Sequence, residues 1–176
     1  MILFFLRHAS AGHHLANQAR DEKRPLDPQG IEQCTQMGRA LNTMDVHVDA
    51  VISSPLKRAT QTASLVANEI GFDGKLQFTP ALRPDAQMDA FRELLQKNAK
   101  LEAVLVVGHN PSLSQFLSLL ISEGASDNSV ELKKCAVARV DLSSGMGMLK
   151  WVVTPKVVQA LSATSARSSR PKTLRK

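Results

Sequence analysis

Continuous apolar runs alternate along the chain with segments in which apolar residues recur at helical spacing. Residues 2–7 and 103–107 are almost entirely apolar, which is typical of central strands buried on both faces of a sheet. Shorter apolar stretches bounded by turn residues indicate further strands. The strands predicted in this way cover residues 2–7, 49–52, 75–79, 103–107, 133–141 and 146–153, with a hairpin turn at 143–145.

Four amphipathic helices are predicted between the strands. Three of them follow a capping residue and a proline, in Asp27-Pro28, Ser54-Pro55 and Asn110-Pro111. Residues 9–26 have no periodicity and are predicted to form a long loop. The alternation predicts an α/β three-layer sandwich with a mostly parallel central sheet. In each helix one stripe of apolar side chains is predicted to face the core. The stripes are, for the first helix, Ile31, Cys34, Met37, Leu41 and Met44; for the second, which Gly71 ends, Ala59, Ala63, Val66 and Ile70; for the third, Met88, Phe91 and Leu95; and for the fourth, Leu113, Phe116, Leu117 and Leu120.

The composition is that of one globular domain with a basic tail. The chain has 176 residues, of which 43% are hydrophobic and 22% are charged, and this fits a single domain over residues 1–160. The net charge of +6 is concentrated at the end, because residues 161–176 contain five basic residues and no acidic one. This segment also lacks apolar periodicity, so we predict a flexible basic tail.

The same composition disfavours several other classes of protein. No basic segment precedes residues 2–6 and no apolar stretch is long enough to span a membrane, so we expect a cytoplasmic protein without membrane contact. Aromatic residues are 4% with no Tyr, which disfavours a stacking surface for nucleic acid. Cys34 and Cys135 lie in unlike contexts and are expected to be small buried residues. No HExxH motif or close ligand cluster is present, so no metal or other cofactor is expected.

Two histidines and two arginines stand where predicted strands end or helices begin. Arg7-His8 ends the first strand, Gly108-His109 follows the run 103–107, and Arg58 lies near the start of the second helix. In open α/β sheets ligands bind beyond the carboxyl ends of the strands, so these side chains are expected to share one site. Helix N-termini and arginine forks suit phosphate oxygens, and a neutral imidazole can attack phosphorus without losing a proton. The sequence therefore predicts phosphate chemistry with a histidine nucleophile.

Three segments resemble the signature motifs of the histidine phosphatase superfamily, also called the phosphoglycerate mutase-like family. Leu6-Arg7-His8-Ala9 is similar to its Arg-His-Gly motif, and Val106-Val107-Gly108-His109 is similar to its Gly-His motif. The segment from Ser53 to Thr62 is similar to its second-arginine motif, Ser-x-x-x-Arg-(Ala/Cys)-x-x-Thr. The motifs occur in the family's order, and the likeness spans residues 1 to about 155. It implies a phosphoglycerate mutase-like fold.

The resemblance also implies a role for each of the four side chains. His8 would be the phosphorylated nucleophile, Arg7 and Arg58 would bind the phosphate, and His109 would complete the pocket by donating hydrogen bonds to phosphoryl oxygens, most usefully as a cation. One departure from the family is Ala9, which stands where the motif has Gly and adds only a methyl group.

A second departure concerns the acidic proton donor that mutases and phosphomonoesterases of this family carry between the last two motifs. Here that interval is short, and Asp85 is the one weak candidate within residues 80–89. Expelling an alkoxide from a phosphate ester needs a proton, whereas the leaving imidazole of phosphohistidine can already carry one on its far nitrogen. The missing donor, the short chain and Arg24-Pro25-Leu26 resemble the SixA branch, the bacterial protein-phosphohistidine phosphatases.

The leading hypothesis is a cofactor-free phosphohistidine phosphatase that acts on a phosphotransfer protein through a covalent phospho-His8. The first alternative is a small-molecule phosphomonoesterase with the same mechanism, and it gains if Asp85 projects into the pocket. The second is a phosphate-binding adaptor whose basic tail contacts the partner. A mutase is disfavoured, because the chain lacks inserts that could shield a phosphoenzyme from water.

Overall fold

The computed structural model describes residues 1–122, 130–143 and 145–168. The burial of side chains is described up to residue 163 within these ranges. Its strands are β1 (Ile2–Arg7), β2 (Ala50–Ser53), β3 (Gln77–Phe78), β4 (Ala103–Gly108), β5 (Val137–Ser143) and β6 (Met146–Val153). Its helices are α1 (Gln18–Glu22), α2 (Pro28–Thr43), α3 (Lys57–Glu69), α4 (Met88–Lys97), α5 (Ser112–Ile121) and α6 (Pro155–Ser168), and a 3₁₀ turn covers Pro80–Leu82.

These six strands form one sheet in the order β3-β2-β4-β1-β5-β6. The first four strands in that order are parallel, while β5 and β6 close the sheet as antiparallel strands. β1 and β4 lie at the centre and are buried along nearly their whole length, as their apolar runs predict. The predicted mostly parallel central sheet is confirmed.

Helices cover both faces of the sheet. α2, α3 and α6 bury apolar side chains on one face, and α4 and α5 do so on the other. β1 contributes to both cores, because Leu3 and Phe5 belong to one and Phe4 and Leu6 belong to the other. The α/β three-layer sandwich predicted from the sequence is therefore confirmed.

The buried face of α2 differs from the predicted stripe at two positions. Three of the five predicted residues are buried, but Ile31 is 46% exposed and Met44 is 43% exposed, so the prediction was wrong for these two. A glycine takes part of the buried face instead, since a Cβ on Gly30 would lie 2.0 Å from the Ser10 carbonyl oxygen. A pattern of large apolar residues cannot reveal a helix face that packs through glycine.

Three local predictions also need correction. The loop predicted at 9–26 contains α1, which is too short to show in apolar periodicity. α3 begins at Lys57 rather than directly after Ser54-Pro55, because the Ser54 amide still bonds to β4 and continues the strand pairing. β5 begins at Val137 rather than near 133, because Cys135 has a positive φ of 56° that breaks an extended run.

Helix α6 crosses the predicted boundary between domain and tail. It extends to Ser168, so residues 161–168 are helical rather than irregular. Residues 169–176 of the predicted tail lie outside the described residues, and the division of the chain at residue 160 stays a prediction. Neither α6 nor another helix in the described ranges is long and apolar enough to cross a membrane.

The register of the parallel strands brings three loops to one edge of the sheet. Arg7 at the end of β1 pairs with Gly108 at the end of β4, and β2 aligns with the same part of β4. Main-chain bonds continue past the strand ends, from the His8 amide to the Gly108 oxygen (3.0 Å) and from the Ser54 amide to the Val107 oxygen (2.9 Å). The loops that follow β1, β2 and β4 therefore begin next to one another at the same edge of the sheet.

The loop after β1 is held by the start of α2. Asp27, the N-cap of α2, accepts hydrogen bonds from the Gly30 amide (2.7 Å), the Ser10 hydroxyl (2.7 Å) and the Gly12 amide (2.8 Å). The first turn of α2 also approaches the Ser10 carbonyl closely at Gly30. Because Ser10 lies two residues after His8, the helix N-terminus positions the chain that carries this histidine.

We expect Gly30→Ala to destabilise the fold, because the added methyl group would lie 2.0 Å from the Ser10 oxygen. Overpacking of this kind costs about 1–3 kcal/mol. Urea denaturation measures the free energy of unfolding, and Gln29→Ala at the exposed neighbouring position of the same helix is the matched control. Equal stability of the two variants would show that α2 does not hold this loop.

Candidate active site

His8, Arg58 and His109 line one pocket of about 570 Å³ at the carboxyl ends of the parallel strands. The ring centroids of His8 and His109 are 4.8 Å apart. Arg58 lies in the first turn of α3, and all three residues are buried. Three of the four side chains expected to share one site therefore line the same pocket.

Arg7 lies beside this pocket, and its side chain is tied to another segment. Its Nη1 donates a hydrogen bond of 2.8 Å to the carbonyl oxygen of Leu132, in the segment that leads into β5. Its charge is nevertheless close enough to contribute to lowering the pKa of both His8 and His109. Arg7 therefore adds positive charge to the site from the side of β5.

His8 is held as a neutral imidazole with a defined orientation. Its Nδ1 is 2.8 Å from the Ala9 carbonyl oxygen, so Nδ1 carries the proton and donates while Nε2 keeps its lone pair. Burial, together with the charges of Arg58 and Arg7, lowers the pKa of His8 to about 3, against the raising effect of the Ala9 hydrogen bond. The ring is therefore unprotonated near neutral pH, which is the state a nucleophile requires.

His109 is also neutral in the free protein. Its Nε2 lies 2.9 Å from the Ser54 hydroxyl, and burial followed by the charges of His8 and Arg58 lowers its pKa to about 2. This differs from the cationic donor that the sequence favours at this position. In this pocket, that protonated form requires the negative charge of a bound phosphoryl group.

Arg58 is fixed by main-chain and carboxylate oxygens. Its Nη1 donates to the Asp21 carbonyl oxygen at 2.9 Å and lies 3.3 Å from Asp21 Oδ2. Thr62, one turn further along α3, donates to the Arg58 carbonyl (2.7 Å) and accepts from the Ala9 amide (3.1 Å). The helix that carries Arg58 is thus bonded to the residue that follows His8.

Asp21 is a site residue that the sequence analysis missed. It belongs to α1, is 5% exposed, and accepts hydrogen bonds from the Leu15 amide (2.9 Å) and Arg24 Nε (2.8 Å). Burial alone would raise its pKa, but these hydrogen bonds and the charges of Arg24 and Arg58 outweigh burial and lower the pKa to about 2. Residues 9–26 have no periodicity that would predict this role. The one signal in the sequence is that Asp21 lies three residues before Arg24, a spacing that allows an ion pair within one helical turn.

Three buried nitrogens at the site have no hydrogen-bond partner among the described residues. They are Nε of Arg7, Nε of Arg58 and Nδ1 of His109. Buried polar atoms are rarely left unpaired in folded proteins, and those that are need an explanation. Preorganised donors of this kind suit an anion whose oxygens would accept from them. The arrangement can therefore bind a phosphoryl group next to the neutral His8.

Asp85, the candidate proton donor of the sequence analysis, lies at the pocket mouth. Its side chain is 84% exposed, and its carboxylate is 3.8 Å from Arg83 Nε. The two other carboxylates that line the pocket are also paired with arginines, Asp21 with Arg24 and Arg58 and Glu22 with Arg83. Of these three carboxylates, Asp21 has a pKa that its hydrogen bonds and the charges of Arg24 and Arg58 lower to about 2, which makes it a poor acid.

Cys34 and Cys135 are both free and buried, as expected. The fold also brings their side chains together, which the sequence did not predict, and the Cys34 contact and burial raise the pKa of Cys135. No group of three or more His, Cys, Asp or Glu side chains within the described ranges is arranged to hold a metal ion.

Comparison with known proteins agrees with this geometry. Residues 3–84 match the family model described as the histidine phosphatase superfamily (branch 1). Phosphohistidine phosphatase SixA of Escherichia coli (strain K12) is 27% identical over 158 residues, which cover 88% of this chain and 94% of that protein. A solved structure of the protein histidine phosphatase SixA with tungstate superposes with a TM-score of 0.80 at 27% identity, covering 89% and 98% of the two chains.

A phosphoglycerate mutase from Bacillus anthracis (strain Sterne) shares the fold, with a TM-score of 0.64 and 19% identity over 90% of this chain and 95% of the mutase. The family match and the SixA relatives identify the chain as a phosphatase, a hydrolase of phosphorylated substrates. The chain belongs to the histidine phosphatase superfamily, and within it to the SixA-type branch. The predicted family and the phosphoglycerate mutase-like fold are confirmed, and the adaptor hypothesis gains no support.

We expect Asp21→Asn to lower kcat/KM for phosphoramidate by between about 10- and 100-fold, because small displacements of a group at the reacting centre have effects of this size. The substitution keeps the side-chain shape but removes the charge that holds Arg58 and Arg24. Asp45→Asn, at a side chain that is 90% exposed, is the control and should match the wild type. Unchanged kinetics in Asp21→Asn would mean that Arg58 is positioned without this carboxylate.

The buried histidines should make stability depend on pH. His8 and His109 have pKa values of about 3 and about 2 in the fold, against an ordinary value of 6.5. The unfolded chain therefore binds more protons below pH 6.5, so the free energy of unfolding is highest above pH 6.5 and falls as the pH decreases towards these values. At pH 5 each histidine accounts for a loss of about 2 kcal/mol.

Urea denaturation at pH 7 and pH 5 measures this effect in the wild type and in His109→Gln. The variant should lose about 2 kcal/mol less than the wild type between the two pH values. His47→Gln is the control, because the His47 side chain is 75% exposed, and it should behave like the wild type. Equal losses in all three proteins would refute the buried neutral state of His109.

Proposed function

We propose that this phosphatase hydrolyses phosphohistidine on a phosphorylated protein through a covalent phospho-His8. The Escherichia coli relative is named a phosphohistidine phosphatase, and it aligns with 88% of this chain. His8, Arg58 and His109 meet in the pocket, with Arg7 beside them. We assign His8 as the nucleophile, Arg7 and Arg58 as phosphate-binding residues and His109 as a donor to phosphoryl oxygens.

In the first step, Nε2 of His8 attacks phosphorus and the bond from phosphorus to the substrate imidazole breaks. The electron pair of the broken bond stays on the substrate nitrogen. Because the far nitrogen of that ring already carries a proton, the ring leaves as neutral imidazole. His8 becomes a phosphoimidazolium whose Nδ1 proton is stabilised by the Ala9 carbonyl oxygen. Arg58, Arg7 and His109, which takes up a proton from solvent when the phosphoryl group binds, balance the charge of the transferring group.

In the second step, water attacks the phosphorus of phospho-His8. The bond from phosphorus to Nε2 breaks, its electron pair returns to Nε2, and the water proton passes to phosphate or solvent. The products are inorganic phosphate and neutral His8. This state of His8 matches the depressed pKa of the free protein, so His8 itself needs no proton transfer before the next cycle. His109 returns its proton to solvent when phosphate leaves.

The observation that carries the phosphohistidine assignment is the pairing of the pocket carboxylates. Asp21, Glu22 and Asp85 all line the pocket, and all lie in ion pairs with arginines. An ester phosphatase needs an acid that can protonate an alkoxide, whereas phosphohistidine brings the proton on its own leaving ring. Of the three, Asp21 has a pKa lowered to about 2 and is a poor acid, Glu22 is bonded to Arg83, and Asp85 is 84% exposed. This arrangement favours the phosphoramidate substrate.

We further propose a phosphotransfer protein as the partner and the cytoplasm as the location. The reaction as assigned requires no metal or other cofactor. The buried thiols of Cys34 and Cys135, free and adjacent, suit a reducing compartment.

A second candidate function is hydrolysis of small phosphate esters, and one observation favours it. His14 lines the pocket mouth, and its Nδ1 lies 3.1 Å from Asp21 Oδ1. An imidazole at this place can act as a general acid, so His14 is a second candidate proton donor beside Asp85.

The test compares steady-state rates on a phosphohistidine-bearing phosphotransfer domain and on an alkyl phosphate ester, with and without a chelator. We expect fast loss of phosphate from the histidine, little ester hydrolysis and no effect of the chelator. His8→Ala should abolish turnover and the acid-labile labelling of the enzyme with ³²P.

Each result can contradict a different part of the proposal. Normal turnover by His8→Ala would refute the covalent mechanism, and strict dependence on metal would refute the cofactor-free reaction. Ester hydrolysis as fast as phosphohistidine hydrolysis would favour the second function. His14→Gln and Asp85→Asn would then show which side chain donates the proton, because only the variant that lacks the donor should lose ester activity selectively.

A further inference from the structure

Arg83 is an arginine at the pocket whose backbone is rigidly held beside His109. It follows the 3₁₀ turn Pro80–Leu82, and its amide donates to the Pro80 oxygen at 3.0 Å. Its carbonyl oxygen accepts a hydrogen bond of 2.8 Å from the Ser112 hydroxyl in the first turn of α5. The turn also packs closely on the end of β4, since a Cβ on Gly108 would lie 3.1 Å from the Leu82 oxygen.

The Arg83 side chain extends from this anchor into the pocket mouth. It lines the same pocket as His8, and its charge contributes to lowering the pKa of His109 and of Arg58. Its Nη2 donates to Glu22 Oε1 on α1, across the pocket from the 3₁₀ turn. Arg83 and Glu22 thus join the two walls of the mouth.

This pair differs from the inner pair in its exposure to solvent. The side chains of Arg58 and Asp21 are both 7% exposed, whereas those of Arg83 and Glu22 are 29% and 36% exposed. The second carboxylate near Arg83, that of Asp85, is 84% exposed. Exposed ion pairs contribute little stability, so a competing anion can replace Glu22 at small cost, while replacing Asp21 would leave a buried charge without a partner.

The position of Arg83 decides which part of a substrate it would meet. The phosphoryl group belongs at the inner end of the pocket, beside His8 and the unpaired nitrogens of Arg58 and His109. The remainder of the substrate extends through the mouth, where Arg83 and Glu22 lie. A cation with an exchangeable partner at this place recognises an anionic group next to the reacting one.

We infer that Arg83 selects protein substrates that carry an acidic side chain close to the phosphohistidine, and that Glu22 occupies Arg83 until this side chain replaces it. The inference rests on the proposed function and adds the chemical class of substrate to it. Arg83 acts here as a substrate-binding residue, and Glu22 is its internal competitor.

The experiment uses two synthetic phosphohistidine peptides that differ only in Glu or Gln at the residue next to phosphohistidine. The wild type should prefer the Glu peptide by about fivefold in kcat/KM, the size expected for an exposed ion pair. Arg83→Gln should abolish this preference through KM, and Glu22→Gln should increase it, because the competing carboxylate is gone. Arg92→Gln, at an exposed arginine of α4 paired with Asp89, is the matched control and should keep the wild-type preference.

Two outcomes would overturn the inference. One is equal rates of the wild type on both peptides. The other is a preference that survives in Arg83→Gln, including the case in which this variant loses activity equally on both peptides. The Glu22→Gln variant distinguishes recognition from a merely structural role. Loss of a structural pair cannot increase the preference for the Glu peptide, whereas loss of a competing carboxylate does.

A binding measurement separates this inference from the proposed function. Calorimetry with His8→Ala protein gives Kd for both phosphopeptides without turnover. A lower Kd for the Glu peptide that disappears in His8→Ala/Arg83→Gln supports recognition by Arg83, even if the wild type hydrolyses neither peptide. Equal Kd values for the two peptides would refute recognition by Arg83, whatever the wild-type rates show about the reaction.

Discussion

The site depends on the pairing of β4 with β1 on one side and with β2 on the other. Parallel strands in register end at the same edge of the sheet. The backbone hydrogen bonds alone therefore bring His8, Ser54 and His109 close together, without help from side-chain contacts. These strands lie in the centre of the sheet, and core strands are the parts of a fold that open only with global unfolding. The two imidazoles thus directly follow the two central strands of the sheet, while the Arg83 and Glu22 side chains at the mouth come from the end of the 3₁₀ turn and from α1.

The burial that makes His8 usable as a nucleophile opposes the stability of the free protein. Burial lowers the pKa of two imidazoles and two arginines at the site, and the charges of Arg7 and Arg58 lower the pKa of both histidines further. The histidines respond by remaining neutral, which arginine cannot do, so the arginines need acceptors. Asp21 and the Leu132 carbonyl supply these acceptors from outside the catalytic motifs. The loop before α2 and the segment before β5 are therefore as necessary to the charge balance as the motifs themselves.

Apolar patterning predicts the sheet, because β1 and β4 are buried on both faces and nothing competes with their apolar runs. The placement of His8, Arg58 and His109 follows from it, since parallel strand ends must meet. Patterning fails where contacts are made by residues without apolar side chains, as at Gly30, or by polar residues in segments without periodicity, as at Asp21. The pairing of Cys34 with Cys135 was missed for a related reason, because it joins a helix to a bend that no local pattern connects.

The pocket holds three carboxylates, and their pairing links phosphate binding to the choice of leaving group. Arg24 and Arg58 favour the charged form of Asp21, so the charges that attract a phosphoryl group also remove one potential acid from the pocket. A substrate whose leaving group carries its own proton is indifferent to that loss, whereas an ester is not. On the function proposed here, selectivity for phosphohistidine needs no separate recognition of the imidazole ring. It follows from the same charges that bind the phosphate, and a proton donor at the mouth, where His14 lies, would relax it.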